Sequence, residues 1–136
     1  MPVEMELSRI IISDLQEKQI IVLKEVDGER KFPIVIGINE AAAIDRRLKG
    51  IPMPRPMTHD LLADVIDKLG GTITKIEIHN LSHQTFFATL FIKQKGAKGK
   101  TVEVDSRPSD AIALGIATGV KIFVAEEVLQ LAEFDN

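Results

Sequence analysis

Residues Lys100 to Gly119 place a short strand, a charged turn and an apolar helix in direct succession, and this order constrains the fold more than any other stretch. Thr101 to Val104 alternates polar and apolar residues, the period of a half-buried strand. Ala111 to Ala117 is apolar on nearly every side, as expected of a helix buried against a sheet. The segment therefore predicts a strand that leads directly into a buried helix.

The first half of the chain repeats this order. Aligning the halves places Ile10 and Ile12 on Ile76 and Ile78, and Ala43 on Ala111. The predicted strands are Glu6 to Ser13, Gln19 to Val26, Lys31 to Ile36, Thr72 to His79, Thr85 to Ile92, Lys100 to Val104 and Lys121 to Val124. A connection is predicted over residues 14–18, a first helix over Glu40 to Leu48 and a last short helix near Glu126 to Leu131. We interpret the pattern as an internal duplication of a β-β-β-α unit. It predicts an α+β fold with a twisted, mixed and largely antiparallel sheet against which the helices pack.

A proline-rich loop and a helix join the two predicted halves, residues 5–50 and 72–119, within one domain over residues 1–136. Three alternating prolines between Ile51 and Met57 exclude both a helix and a central strand there. Thr58 then caps a predicted helix from His59 to Leu69. Its apolar positions follow the helical period and predict a stripe that faces the core: Leu61, Leu62, Val65, Ile66 and Leu69.

Composition excludes several classes of protein. The chain has no cysteine, so it has no disulfides, thiolate metal sites or cysteine nucleophiles. It contains no basic region followed by an apolar run at its start and no apolar stretch of membrane-spanning length, which predicts a cytoplasmic protein. The formal net charge of −3 gives no overall attraction to nucleic acid. Phosphate binding would therefore depend on local patches.

The turn before the second-half helix concentrates charge. Asp105 and Asp110 are ligands that a hard divalent cation prefers, and Arg107 offers a planar fork for a phosphate. Pro108 suits the first helical position, so Arg107 is the predicted N-cap and Asp110 falls in the first turn. The alternative is structural, since an acid in a first turn stabilises the helix and can accept a bond from the N-cap amide.

A second segment, Arg55 to Asp60, has a similar pattern, with an Arg-Pro step, a hydroxyl residue and an acid just inside a helix. His59 is a candidate general base, because histidine changes its charge near neutral pH. Asp60 is a candidate metal ligand or orienting group, and helix capping is again the alternative. Two basic clusters, which suit either a phosphate backbone or the solubility of the sheet, are Lys93, Lys95, Lys98 and Lys100, and Arg46, Arg47 and Lys49.

Three segments together resemble the bifunctional nuclease domain family of bacteria and plants. They are Phe32 to Ile44, Arg55 to Leu62 and Val104 to Leu114, and the likeness extends from about Met5 to Leu131. The resemblance implies a small α+β domain and nuclease activity on DNA and RNA. The polar positions that match the family are Glu40, Arg55, His59, Asp60, Asp105, Ser106, Arg107 and Asp110.

With this resemblance, the working hypothesis is a metal-assisted phosphodiesterase. Its predicted catalytic residues are His59, Asp60, Asp105, Arg107 and Asp110. Its predicted phosphate-binding residues are Arg55, Ser106 and Arg107, and a divalent ion such as Mg²⁺ would be held by Asp105, Asp110 and Glu40. The expected partners are DNA and RNA, with no membrane, and a homo-oligomer such as a dimer. The alternatives are a non-catalytic binding or regulatory module for an anionic ligand or protein partner, and a homodimer interface at the polar junctions.

Overall fold

The computed structural model describes residues 2–13, 15 and 18–133, so most of the predicted first connection, at Asp14, Gln16 and Glu17, lies outside it. The strands are β1 (Val3–Ile11), β2 (Lys18–Glu25), β3 (Lys31–Gly37), β4 (Gly71–Ser82), β5 (Thr85–Gln94), β6 (Thr101–Ser106) and β7 (Lys121–Val124). The helices are α1 (Ile38–Lys49), α2 (Thr58–Lys68), α3 (Pro108–Gly115) and α4 (Glu126–Glu133), with 3₁₀ turns at Ala97–Gly99 and Ile116–Thr118. None of these helices is both long enough and apolar enough to cross a membrane.

All seven strands form one sheet, in the order β3-β2-β1-β7-β4-β5-β6. Two antiparallel three-stranded units, β1-β2-β3 and β4-β5-β6, lie on either side of β7. Strand β7 runs antiparallel to β1 and parallel to β4. The predicted α+β class and the mixed, largely antiparallel sheet are confirmed. The order β-β-β-α occurs twice, but the duplication itself stays a prediction.

The core lies between the sheet and its helices. The α3 segment is buried from Pro108 to Gly115 except at Asp110, as its apolar composition predicted. Helix α1 buries Ala41, Ala43 and Ile44 and packs against α3, so the helices that follow the two three-stranded units are in contact. This contact brings the starts of α1 and α3 to the same end of the molecule.

Helix α2 packs less deeply than the sequence predicted, because none of its residues is buried. Its half-buried side consists of His59, Asp60, Ala63 and Ile66. Four of the five residues predicted to face the core are exposed instead: Leu61, Leu62, Val65 and Leu69. The prediction that this stripe faces the core was wrong, because the other side of α2 packs against the chain. The polar first turn on that side contacts α1 and α3.

A three-residue ion network ties the β2–β3 hairpin to α4. Arg30 donates to Glu25 at 2.8 Å and to Glu126 at 2.7 Å. These hydrogen bonds to Arg30 hold the pKa of both carboxyls below the ordinary glutamate value. A carboxyl with a lowered pKa in the folded state contributes stability that is present above its unfolded pKa and lost as the pH falls through the folded value.

We therefore expect the Tm to fall as the pH is lowered from 6 to 3, and to fall less in Glu126→Gln. The variant has no titrating carboxyl at this position, so part of the pH dependence disappears with it. Thermal unfolding followed by circular dichroism at several pH values measures the difference. Identical pH dependence in the two proteins would contradict a role of this network in acid stability.

Candidate active site

A cleft of about 680 Å³ opens where the first turns of α1, α2 and α3 meet the end of β6. Glu40 of α1, His59 of α2 and Asp110 of α3 all line it. The N-terminus of a helix carries partial positive charge and unpaired amide groups, which favour anions. The cleft thus combines three helix starts with titratable side chains.

The central contact of the cleft joins two residues that are distant in sequence. The Nε2–H of His59 donates to Oδ1 of Asp110 at 2.9 Å. The His59 side chain is 16% exposed and the Asp110 side chain 30% exposed, so the pair is partly shielded from water. This bond selects the tautomer that keeps the proton on Nε2 and leaves the lone pair of Nδ1 able to take up a proton.

Arg107 connects the two carboxylates of the cleft. Its Nε donates to Oδ2 of Asp110 at 2.9 Å, and its Nη2 donates to Oε1 of Glu40 at 3.1 Å. The hydrogen bond that Arg107 donates to Asp110 raises the pKa of Arg107 above its ordinary value, and the charge of Glu40 adds to this effect. The prediction that Arg107 is the N-cap and Pro108 the first helical residue is confirmed. The capping alternative predicted that the Asp110 carboxylate accepts a hydrogen bond from the backbone amide of Arg107. The carboxylate instead accepts one from the Arg107 side chain.

Asp60 points to a different set of partners. Its carboxylate accepts hydrogen bonds from Arg47 Nη1 at 2.6 Å, Arg46 Nη2 at 3.3 Å and the Met57 amide at 3.1 Å. Met57 is the N-cap of α2, and Thr58, the predicted cap, is its first helical residue. Burial raises the pKa of Asp60, but the bonds from Arg47 and Met57 and the charge of Arg46 outweigh burial and leave the pKa below its ordinary value.

Arg47 extends this network to α3. Its Nε donates to the carbonyl of Ala113 at 2.6 Å and its Nη2 to that of Leu114 at 3.2 Å. Asp60 and Arg47 together therefore join the start of α2, the end of α1 and the end of α3. These contacts favour a structural role for Asp60, and they engage the guanidinium groups of Arg46 and Arg47, the two arginines of the basic cluster at the end of α1.

The remaining predicted residues are divided between the cleft and the surface. Asp105 and Ser106 line the cleft, and Ser106 Oγ donates to the Arg107 carbonyl at 2.8 Å. Arg55 lies exposed in the proline-rich loop and is not one of the described residues that line the cleft. Sequence reasoning missed the apolar wall, formed in part by Phe86, Phe87 and Val104. Which residues of a strand line a cleft depends on how the strand packs in the fold, and no local sequence pattern contains that information.

The carboxylates of the cleft are not arranged as a metal centre. Over the described ranges, no group of three or more His, Asp or Glu side chains is placed to hold an ion. Glu40 and Asp110 already bind the cation Arg107, and Asp110 also binds His59. A divalent ion at these two carboxylates would have to displace the guanidinium. The donor set therefore does not fit a resident ion, and the predicted Mg²⁺ stays a prediction.

Comparison with known proteins identifies similar sequences. The family described as Bifunctional nuclease domain matches residues 21–136. An uncharacterized protein of Mycobacterium tuberculosis H37Rv is 37% identical over 129 residues, which is 95% of this chain and 75% of that protein. Bifunctional nuclease 2 of Arabidopsis thaliana is 30% identical over 105 residues, which is 76% of this chain. Bifunctional nuclease 1 of Oryza sativa subsp. indica is 26% identical over 109 residues, which is 79% of this chain. The matched part is 32% and 33% of these two plant proteins.

Proposed function

This chain belongs to the bifunctional nuclease domain family, and we propose from that premise that it hydrolyses phosphodiester bonds of DNA and RNA in the cleft at the starts of α1, α2 and α3. The observation that carries the proposal is the hydrogen bond between His59 and Asp110, with Arg107 on the same carboxylate. A base, an orienting acid and a cation thus lie within one cleft. The plant relatives named bifunctional nucleases support the same reaction class.

In this proposal His59 is the general base. Its Nδ1 takes a proton from water as the water oxygen forms a bond to phosphorus, and the bond from phosphorus to the leaving oxygen breaks. The proton then passes to the leaving oxygen through solvent, so the imidazole returns to its neutral form. Asp110 holds the ring by its bond to Nε2 and stabilises the imidazolium while the proton is on it.

Arg107 is the proposed phosphate ligand. Its side chain is 67% exposed, and its Nη1 donates to none of the described residues. That nitrogen is therefore able to donate to a phosphate oxygen while Nε and Nη2 stay bound to Asp110 and Glu40. A guanidinium fixed by two carboxylates needs little rearrangement to stabilise the charge that develops on the phosphate during the reaction.

No step is assigned to a metal ion, because Glu40 and Asp110 are already bound to Arg107. We therefore expect the purified chain to cleave single-stranded DNA and RNA in EDTA as well as in Mg²⁺. Cleavage of end-labelled oligonucleotides at low salt measures this, because a protein with a net charge of −3 binds polyanions weakly. A mock purification from cells that do not express the chain is the control for contaminating nucleases.

The other outcomes of this assay distinguish the alternatives. Cleavage in Mg²⁺ that EDTA abolishes would support the predicted metal site and contradict a reaction carried by His59 and Arg107 without an ion. Oligonucleotides that bind, as measured by fluorescence anisotropy, but stay intact would favour the non-catalytic binding module. If the oligonucleotides were neither cleaved nor bound, the proposed function would be overturned.

A further inference from the structure

Helix α2 carries an apolar ridge on the side that faces away from the rest of the chain. Leu61 and Val65 lie within α2 and Met57 and Leu69 cap its two ends, so the four residues follow one another at intervals of four along this side of the helix. Each of the four is between 43% and 82% exposed. Leu62 lies beside the row and is also exposed.

This ridge is not explained by the packing of the chain itself. The opposite side of α2 makes the contacts that hold the helix, through Asp60, Ala63 and Ile66. Single exposed apolar residues are common on protein surfaces, but a contiguous row on one helix marks an interaction surface. Ile51 and Met53, in the loop before α2, are exposed as well.

The charges beside the ridge indicate which partner fits it. Asp64 and Lys68 lie on the same flank, one helical turn apart, and no ion pair joins either of them to the described residues. When two identical helices cross antiparallel about a two-fold axis, each flank lies next to the same flank of the other helix. The residue order along the second flank is then reversed. With the axis between Val65 and Ile66, Asp64 lies within one residue of the position facing Lys68 of the partner subunit, and Leu61 within one residue of the position facing Leu69 of the partner subunit.

We propose that α2 is the contact of a homodimer in which two α2 helices cross antiparallel about a two-fold axis near Val65. Ridges with a spacing of four residues pack into each other's grooves, in the commonest class of helix packing. The charges on the flank of one α2 are complementary to those on the same flank of a second copy. A surface that binds an unrelated partner has no need of this self-complementarity. Leu62 also lines the cleft, so the partner helix would lie beside the cleft entrance. The proposal does not depend on the proposed function.

Sedimentation velocity with purified chain tests the dimer directly. The wild type is expected at about twice the chain mass of 15.0 kDa. Val65→Asp should raise the Kd of the dimer by more than about 100-fold, because it buries two facing carboxylates at the axis. Val35→Asp is the matched control, since Val35 is 58% exposed on β3, away from α2, and this variant should stay dimeric. Circular dichroism verifies that both variants are folded.

Two further variants test the antiparallel geometry. Asp64→Lys should weaken the dimer through like charges, and the double variant Asp64→Lys/Lys68→Asp should restore it. Because the chain has no cysteine, Val65→Cys introduces a single thiol, which should form an intersubunit disulfide under mild oxidation, whereas Val35→Cys should not. A monomeric wild type, or a dimer that is unaffected by Val65→Asp, would overturn the proposal. Failure of the double variant to restore the dimer would overturn the antiparallel pairing.

Discussion

His59→Ala is expected to lower the rate of phosphodiester cleavage by about 10²–10⁴-fold, the range over which a positioned general base contributes. The side chain lies in the cleft, and its one side-chain hydrogen bond among the described residues goes to Asp110. The other side chain bonded to Asp110 among the described residues is Arg107, which cannot act as a general base, so nothing there replaces the lost imidazole. Initial rates on end-labelled RNA and DNA measure the loss. Unfolding midpoints in urea verify that the variant remains folded.

Asp110→Asn is the matched variant for this prediction. It keeps the size of the side chain, but an amide that presents its N–H₂ to His59 favours the wrong tautomer of the ring. We therefore expect it to lower the rate strongly while oligonucleotide binding, measured by anisotropy, changes little. Cleavage at the wild-type rate by His59→Ala would exclude His59 as the base. Normal cleavage by Asp110→Asn with a low rate for His59→Ala would leave His59 in place and exclude the orienting role of Asp110.

Much of the fold could be predicted from local pattern. The strand-to-helix order at Lys100 to Gly119 is present in the structure as β6 and α3, with Arg107 and Pro108 at the predicted positions. Such features depend on neighbouring residues, and the sequence contains that information. The central position of β7 depends on pairing between distant strands, and no local pattern predicts it.

The candidate site was predicted as a set of residues but not as a set of contacts. His59 and Asp110 were both selected, yet the bond between them joins residues 51 positions apart. Asp60 was selected with His59 because the two are adjacent, but successive side chains of a helix point in directions about 100° apart. One faces the cleft, and the other binds Arg46 and Arg47.

The error at α2 has a similar physical origin. Leu61, Leu62, Val65 and Leu69 follow the helical period, and that period predicts a common side without telling what covers it. The side that packs against the chain is instead fixed by Asp60 and its partners. An apolar stripe that faces a second copy has the same sequence pattern as one that faces the core.

Asp60→Ala is expected to lower the free energy of unfolding by about 2 kcal/mol, between the small contribution of an exposed ion pair and the cost of removing one partner from a buried one, because this network is partly buried. Arg46 and Arg47, whose side chains are 14% and 12% exposed, would lose their shared carboxylate, and the Met57 amide would lose its acceptor. Urea unfolding at pH 7 measures the change. Because the pKa of Asp60 is lowered in the folded state, its contribution is lost as the pH falls through that value, so the variant and the wild type should converge in acid.

This prediction also separates the two roles suggested for Asp60. If the residue is structural, cleavage per folded molecule should stay close to that of the wild type at a temperature where Asp60→Ala is folded. The same measurement on His59→Ala should give a strong loss, although the two residues are neighbours on α2. An Asp60→Ala protein of unchanged stability that no longer cleaves would reverse the assignment, since the carboxylate would then act in the reaction and not in the packing of α1, α2 and α3.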